Sequence, residues 1–185
     1  LTLLKLTGAH RYAVIEMGMS HFGELAQLTQ IARPDVALVN NALRAHVGCG
    51  FDGVGDIAKA KSEIYQGLNA DGLALIPCED ATAAVFQTAS KAFKQHTFGV
   101  GQGDIHAENI VLQPLSCAFD LVRGGERAAV LLPVPGKHNI HNAVAAAALA
   151  LAAGLRLQEV SDGLQSFANI KGRLQIKSGI KNAVV

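Results

Sequence analysis

The chain has 185 residues, of which 50% are hydrophobic and 17% charged, and its formal net charge is +1. A chain of this size and composition can bury one substantial core, which excludes disordered and collagen-like classes. Sixteen basic residues against fifteen acidic ones create no overall field that would attract nucleic acid or an anionic membrane surface. Any anionic ligand must therefore be held by local groups.

Cysteine usage and hydropathy further narrow the possible classes of protein. Three cysteines are scattered without a Cys-x-x-Cys pair, a pattern typical of a reducing cytosol and unfavourable for a zinc site. The longest apolar run, residues 143–153, is well short of the roughly 18 residues that cross a bilayer, and it predicts a buried helix. Because the first residue is Leu1 rather than Met, we interpret the sequence as a segment of a longer cytoplasmic protein.

Strand and helix patterns alternate through the first half of the chain. Short apolar runs at residues 12–17, 35–40 and 73–77 predict strands of a parallel sheet. The periodicity of the intervening segments predicts helices over residues 22–32, 56–68 and 81–93, with Asp56 as the cap of the second helix. This alternation predicts the α/β class, with a mostly parallel sheet flanked by helices.

The pattern changes between residues 97 and 133, where β-rich runs are separated by turn residues. The runs cover residues 97–100, 105–112, 118–122 and 128–132, and they predict a small antiparallel meander beside the main sheet. The glycine-rich stretch 99–103 opens no helix, so we interpret it as a turn and not as a nucleotide loop. Helices are predicted again over residues 141–153 and 157–167, followed by short strands at 174–177 and 183–185.

Polar residues follow the first two predicted strands, at the sheet edge where open α/β sheets bind ligands. Glu16 ends the first strand, Asn40 and Asn41 end the second, and His46 follows shortly after. A carboxylate at such an edge can hold Mg²⁺ directly or through water, and neighbouring strand ends would gather these donors in one crevice. From the residues alone, a loop-capping carboxylate and a solvated histidine remain open alternatives.

Lys61 lies on the second predicted helix, whose apolar positions point into the protein. A protonated lysine has no lone pair and cannot bind a metal. A neutral one could take up CO₂ and become a carbamate, which is an oxygen ligand. The spacing does not decide between this chemistry and a solvated surface lysine.

Two asparagines and an arginine are candidates for binding a nucleotide. Asn139 and Asn142 are three residues apart before an alanine-rich helix, so they share its first turn and could match the donor and acceptor edge of adenine. Capping of the helix by Asn139 is the alternative. Arg173 follows Gly172 and could clamp a phosphate or carboxylate, although a lone arginine can equally be a surface charge.

Taken in order, these segments resemble the central domain of the Mur ligases. The resemblance covers nearly the whole chain, and the ordered set is far more specific than any one motif. It is carried by Tyr12-Ala-Val-Ile-Glu-Met-Gly18, Gly23-Glu-Leu25, Arg33-Pro-Asp-Val-Ala-Leu-Val-Asn-Asn41, Ala45-His46, Ala58-Lys-Ala-Lys-Ser-Glu-Ile64, Leu131-Leu-Pro-Val-Pro-Gly-Lys-His-Asn-Ile-His-Asn142 and Gly172-Arg-Leu174.

The resemblance implies a set of roles on the metal side of the site. Glu16, His46 and Lys61 match the residues that bind Mg²⁺, and Lys61 matches the lysine that is carbamylated in related ligases. Lys61 and His46 are therefore the expected catalytic residues.

On the nucleotide side, the resemblance implies that Asn139 and Asn142 meet the adenine of ATP and that Arg173 meets the nucleotide. Asn41 completes the expected cofactor-binding set. ATP and Mg²⁺ are the expected cofactors.

The resemblance also implies a reaction. In this family ATP activates a carboxylate as an acyl phosphate, which an amine then attacks. Residues 58–64 and the Asn-Asn strand end match the branch that joins D-alanyl-D-alanine to UDP-N-acetylmuramoyl-tripeptide, so these two compounds are the expected partners, with no nucleic acid and no membrane span, and the protein is expected to be a monomer. A folylpolyglutamate synthase-type ligase and a non-catalytic nucleotide-binding fragment remain the alternatives.

The expected domain boundaries follow from the same resemblance. Residues 1–170 would form the central domain, and residues 171–185 would begin the connection to a further domain. No Gly-x-x-x-x-Gly-Lys-Ser/Thr loop occurs in the chain, so the phosphate-binding segment of the family is expected to lie upstream of Leu1. The isolated chain is therefore not expected to catalyse ligation.

Overall fold

The structure is a computed structural model that describes residues 3–44, 48 and 50–167. Within these described residues, six strands belong to one sheet, and their order in the sheet follows the chain. Two compact units are distinguished. The first runs through residue 76 and includes Asp80–Gln95, and the second comprises Pro77–Glu79 and the described residues from His96 onward.

The first unit begins with a parallel β-α layer. Its helices are α1 (Glu24–Ala32), α2 (Val54–Ser62) and α3 (Ala83–Ala89), and its strands are β1 (Val36–Leu38) and β2 (Leu73–Pro77). The two strands pair in parallel, with Val36 opposite Leu73. A 3-10 helix, Glu63–Gly67, continues from α2. The predicted alternation of strand and helix is thus confirmed over residues 22–93.

Local chemistry explains where the elements of this unit end. Helix α1 stops at Arg33, which adopts a left-handed conformation with φ of 47°, and Pro34 follows, which disfavours helix at the residue before it. The Tyr65 side chain is fully buried, and its hydroxyl donates to the Leu75 carbonyl at 3.0 Å. This hydrogen bond joins the 3-10 helix to β2. Ile57 and Phe86 are buried in the same hydrophobic core as Tyr65.

The second unit contains the antiparallel part of the sheet and two helices. Most of strand β3 (Lys94–Val100) belongs to this unit, and β4 (Ile105–Leu112), β5 (Cys117–Arg123) and β6 (Glu126–Leu132) follow it along the chain. Strand β5 pairs in antiparallel orientation with both β4 and β6. Helices α4 (Lys137–Ala152) and α5 (Leu157–Gln165) complete it. Together the units confirm the predicted α/β class, a mostly parallel sheet flanked by helices with an antiparallel portion.

Helix α4 buries one face because its apolar residues recur at helical spacing. Ile140, Val144, Ala147 and Leu151 are four, three and four residues apart and are all buried. Helix α5 is held on β6 by Ser161, whose hydroxyl donates to the Ala129 carbonyl at 2.7 Å. The buried face of α4 is therefore part of the core of the second unit, and the Ser161 hydrogen bond joins α5 to β6.

The first predicted strand is wrong. Residues 12–17 form neither strand nor helix, and Tyr12 and Val14 are 56% and 85% exposed. An apolar run becomes a buried strand only when a neighbouring strand and a covering layer are present. No strand of the sheet pairs with this segment within the described residues.

The pairing predicted for residues 97–100 is also wrong, because β3 runs parallel to β4. The paired residues extend from Phe98 opposite Ile105 to Val100 opposite Ala107. Parallel strands ordinarily need a connection of about a dozen residues or more, whereas here residues 101–104 suffice. Gly101 and Gly103, with φ of +84° and +112°, let the chain turn back sharply, as the interpretation of this stretch as a turn expects.

The helix boundaries differ from the predictions, most clearly in α2, α3 and α4. Helix α2 begins at Val54 with Gly53 at its N-cap, so Asp56 lies in the first turn and is not the cap. Helix α3 is shorter than predicted, and α4 begins at Lys137, four residues before the predicted start. The strands predicted at 174–177 and 183–185 lie outside the described residues.

None of the helices that the structure describes combines the length and the hydrophobicity that a membrane span requires.

Candidate functional site

Lys61 and Asn41, two of the predicted site residues, are in direct contact in the first unit. Lys61 lies in the last turn of α2, next to the buried residues Ala60 and Ser62, and is itself half-buried. Its Nζ donates a hydrogen bond of 2.6 Å to the carbonyl oxygen of Asn41, which follows the carboxyl end of β1. The lysine is thus a fixed part of the sheet edge and not a freely solvated charge.

The surroundings of Lys61 alter its acid-base chemistry. Burial lowers the pKa of Lys61, because removal from water disfavours the ammonium form, and the negative charge of Asp80 acts in the opposite direction. A larger fraction of this amine is therefore neutral than of an exposed lysine at the same pH. Only the neutral amine has the lone pair that reaction with CO₂ requires.

Asp80 connects the end of β1 with the start of α3. Its Oδ2 accepts a hydrogen bond of 2.8 Å from the Ala42 amide. Its Oδ1 accepts hydrogen bonds from the amide and the hydroxyl of Thr82, at 2.8 and 2.6 Å. The sequence reasoning missed this residue, although Asp80 follows the carboxyl end of the predicted strand 73–77, the same signal that identified Glu16.

The other two residues of the predicted metal set are placed differently. Glu16 is exposed in the non-regular segment before α1, and it makes no hydrogen bond or ion pair with the residues that the structure describes. His46 lies outside the described residues. The structure therefore brings together Lys61 and Asn41, and it does not place Glu16 beside them.

The side chains that were predicted to bind a metal fit Mg²⁺ only in part. Within residues 3–44, 48 and 50–167, no group of three or more His, Cys, Asp or Glu side chains is arranged to hold a metal ion. Mg²⁺ keeps several waters and is usually bound through one or two carboxylates, so an exposed carboxylate such as Glu16 is compatible with it. The amine of Lys61 is not a ligand unless it is carbamylated.

The two asparagines predicted to meet adenine lie in the second unit, inside the first two turns of α4. Asn139 is half-buried, and its side-chain amide donates to the Pro135 carbonyl at 2.7 Å. Gly136 occupies the N-cap position, so the capping role considered for Asn139 is wrong. Asn142 is exposed one turn later, and Arg173 lies outside the described residues.

A hydrogen-bonded chain in the second unit was also missed by sequence reasoning. The ring nitrogens of His106 lie 2.7 Å from the Gly103 carbonyl and 2.8 Å from a Glu108 carboxylate oxygen. Arg127 donates to the other oxygen of Glu108 at 2.5 Å. Hydrogen bonds from His106 and then Arg127 lower the pKa of Glu108. This chain joins β4 to β6 and has a structural role.

Comparison with known proteins shows the class to which this chain belongs. The family model described as the Mur ligase middle domain matches residues 1–150. The chain therefore belongs to the Mur ligase middle domain family, which confirms the resemblance drawn from the motifs.

The similar proteins point to one branch of that family. UDP-N-acetylmuramoyl-tripeptide--D-alanyl-D-alanine ligase of Escherichia coli (strain K12) is 39% identical over 176 residues, which is 94% of this chain and 39% of that protein. The ligase of the same name from Haemophilus influenzae is 38% identical, over 94% of this chain and 37% of that protein. The chain thus spans about two fifths of the length of these relatives.

A solved structure agrees with the sequence relatives. A crystal structure of MurF from Acinetobacter baumannii superimposes with a TM-score of 0.92 at 39% identity, and the match covers 97% of this chain and 39% of that one. The fold described above is therefore the fold of the corresponding part of MurF.

Proposed function

We propose that the full-length protein carrying this chain is an ATP-dependent ligase that joins D-alanyl-D-alanine to UDP-N-acetylmuramoyl-tripeptide in peptidoglycan precursor synthesis in the cytoplasm. The observation that carries this proposal is the 38–39% identity, over 94% of the chain, to two ligases of that name. The folate-type ligase remains the second candidate because it resembles this chain in its fold and in the region around Lys61. The match to two D-alanyl-D-alanine ligases over 94% of the chain favours the first.

The reaction consists of two balanced steps. A carboxylate oxygen of the tripeptide attacks the γ-phosphorus of ATP and ADP leaves, which gives an acyl phosphate. The amine of D-alanyl-D-alanine then attacks the carbonyl carbon, phosphate leaves with the former carboxylate oxygen, and the amine nitrogen loses a proton. Phosphoryl transfer of this kind depends mainly on positioning and on electrostatic stabilisation.

We assign Lys61 to the part of the site where the tripeptide carboxylate reacts. Its half-buried amine is held at 2.6 Å by the Asn41 carbonyl, so its side chain is already positioned at the sheet edge. Carbamylation would turn this group into an oxygen donor, with Glu16 and His46 as the other groups that would hold Mg²⁺. When bound, Mg²⁺ would neutralise part of the phosphate charge.

Asn139, Asn142 and Arg173 are the residues that we assign to the nucleotide, with Asn41 as a further contact. Asn139 has its amide anchored to the Pro135 carbonyl, which leaves its side-chain oxygen as an acceptor for an adenine amino group. Asn142 is exposed on the same helix, and its side chain is of the amide type that carries both an acceptor and donors. Direct binding of adenine would account for two amides within one turn.

The experiment that tests the proposal is phosphate release by the full-length protein with ATP and Mg²⁺. UDP-N-acetylmuramoyl-tripeptide plus D-alanyl-D-alanine is compared with a folate plus glutamate. Release that requires the first pair supports the proposal, and release that requires the second assigns the protein to the folate branch. No release with either pair favours a non-catalytic protein.

Substitution of Lys61 tests the role assigned to that residue. Lys61→Ala should lower kcat by roughly a hundredfold or more, a loss comparable to removal of a group that stabilises charge in the transition state. Small carboxylates such as formate should restore part of the activity by supplying the missing oxygen donor. Lys59→Ala is the matched control, because the Lys59 side chain on the same helix is 67% exposed and should tolerate the change. Equal rates for the two variants would remove Lys61 from the mechanism.

A further inference from the structure

We infer that Asp80 is a positioning residue for Lys61, acting through the backbone of Asn41 and Ala42. This inference rests on the proposed function, since it concerns the geometry of the same site. It is carried by hydrogen bonds that join three separate segments of the first unit: the end of β1, the last turn of α2 and the start of α3.

The first link is between Asp80 and the chain after β1. The Asp80 Oδ2 accepts the Ala42 amide at 2.8 Å, and Ala42 is only 4% exposed. An amide buried to this extent needs an acceptor, because an unsatisfied one costs about 1–3 kcal/mol. The carboxylate therefore determines the orientation of the peptide group between Asn41 and Ala42.

The second link is between that peptide group and Lys61. The amide of Ala42 and the carbonyl of Asn41 belong to one planar peptide unit. Fixing the amide towards Asp80 therefore also fixes the carbonyl, which accepts the Lys61 ammonium at 2.6 Å. One rigid group thus transmits the position of Asp80 to the nitrogen of Lys61.

The third link holds Asp80 itself. Its Oδ1 accepts the amide and hydroxyl of Thr82 at 2.8 and 2.6 Å, so the carboxylate has three hydrogen bonds and cannot rotate without breaking at least two. A residue that only capped the turn before α3 would need the Thr82 contacts alone. The additional bond to Ala42 is what makes Asp80 part of the site.

The test is a set of variants of the full-length protein. Asp80→Asn replaces an acceptor oxygen with an amide that cannot satisfy both Ala42 and Thr82, whereas Asp80→Glu keeps the charge. Asp104→Asn is the matched control, because Asp104 likewise accepts the amide and hydroxyl of a threonine, Thr97, at 2.7 and 2.8 Å, but in the second unit. We expect Asp80→Asn to lower kcat by roughly ten- to a hundredfold with little change in the KM for ATP, Asp80→Glu to recover part of it, and Asp104→Asn to leave kcat unchanged.

A second readout does not depend on activity. A double-mutant cycle in thermal unfolding combines Asp80→Asn with Lys61→Met, and non-additive shifts in Tm are expected because the two side chains share one peptide group. Additive shifts, or a kcat for Asp80→Asn no lower than that of Asp104→Asn, would overturn the inference. If the wild-type protein showed no ligase activity, the proposed function would fail while the cycle would still decide whether Asp80 positions Lys61.

Discussion

At the scale of single residues, Gly67 packs directly against Thr29 in the first unit. A Cβ on Gly67 would overlap the backbone carbonyl of Thr29 and lie 2.7 Å from its Oγ1. Thr29 cannot move away, because it is fully buried and its hydroxyl donates to the Ile64 carbonyl at 2.7 Å. The end of the 3-10 helix Glu63–Gly67 can therefore pack this closely against α1 only if residue 67 lacks a side chain.

Gly67→Ala should therefore destabilise the fold by about 1–3 kcal/mol, the usual cost of overpacking. The measurement is the free energy of unfolding in urea. Gly55→Ala provides the control, since Gly55 lies in α2 with nothing within 4 Å of its would-be Cβ, and alanine there should stabilise by about 0.5–1 kcal/mol. Equal stability of the two variants would mean that the close packing of Gly67 against Thr29 is not present in solution.

The same scale shows which site residues could be predicted from sequence. Asn41 and Lys61, which the structure brings into contact, were proposed because a strand end and an amphipathic helix are visible in the residue pattern, whereas the strand end that suggested Glu16 does not form. The contact between Lys61 and the Asn41 carbonyl could not be predicted, because a backbone acceptor leaves no mark in the sequence. Asp80 was missed although it too follows a predicted strand, since its importance depends on the Ala42 amide that it binds.

At the scale of secondary-structure elements, Glu63, which belongs to the motif around Lys61, stabilises the start of α1. Both carboxylate oxygens of Glu63 lie 2.9 Å from the Gly23 amide nitrogen, and Gly23 is the N-cap of α1. A negative charge here satisfies amides that have no partner within the helix and interacts favourably with its dipole. The Ala-Lys-Ala-Lys-Ser-Glu segment thus serves both the fold and the proposed chemistry.

Glu63→Gln should weaken this helix start by about 0.5–1 kcal/mol, because glutamine keeps an acceptor and loses the charge. Chemical denaturation gives the loss of stability, and amide exchange should show it concentrated in α1. Glu126→Gln makes the same chemical change at an exposed residue of β6 and should alter stability by less than about 0.5 kcal/mol. Exchange rates in α1 that do not differ between the variants would contradict this role of Glu63.

Elements with strong local signals were predicted well, and those that depend on neighbours were not. Residues 73–77 and 105–112 form β2 and β4 with the predicted bounds. Residues 12–17 have the same apolar pattern but form no strand, since a pattern cannot report whether a partner strand lies beside it. The parallel pairing of β3 with β4 was likewise invisible, because it depends on the positive φ of Gly101 and Gly103.

At the scale of the whole molecule, the protein should lose stability in acid. Hydrogen bonds from the Ser20 and His21 amides lower the pKa of Glu24. Hydrogen bonds from Arg156 lower the pKa of Glu159. The pKa of Glu108 is lowered by His106 and Arg127. For Asp104, burial acts to raise the pKa, but the hydrogen bonds from Thr97 outweigh it and the net shift is downward.

A carboxyl group with a lowered folded-state pKa stabilises the fold above its unfolded pKa, and this contribution disappears as the pH falls through the folded value. Tm should therefore be nearly constant from pH 7 to about 5 and fall progressively below about pH 4.5. Glu108→Gln should reduce the size of this fall, because one of the contributing groups is gone. A Tm that stays constant down to pH 3 would show that these carboxylates do not stabilise the fold.

The central claim, that this chain is part of a ligase acting through an acyl phosphate, is tested most directly by isotope transfer. The terminal carboxylate of UDP-N-acetylmuramoyl-tripeptide is labelled with ¹⁸O, and the full-length protein is supplied with ATP, Mg²⁺ and D-alanyl-D-alanine. Our account predicts that one ¹⁸O atom appears in the released phosphate for each amide bond formed. Amide formation with unlabelled phosphate, or phosphate release without an amide product, would contradict it.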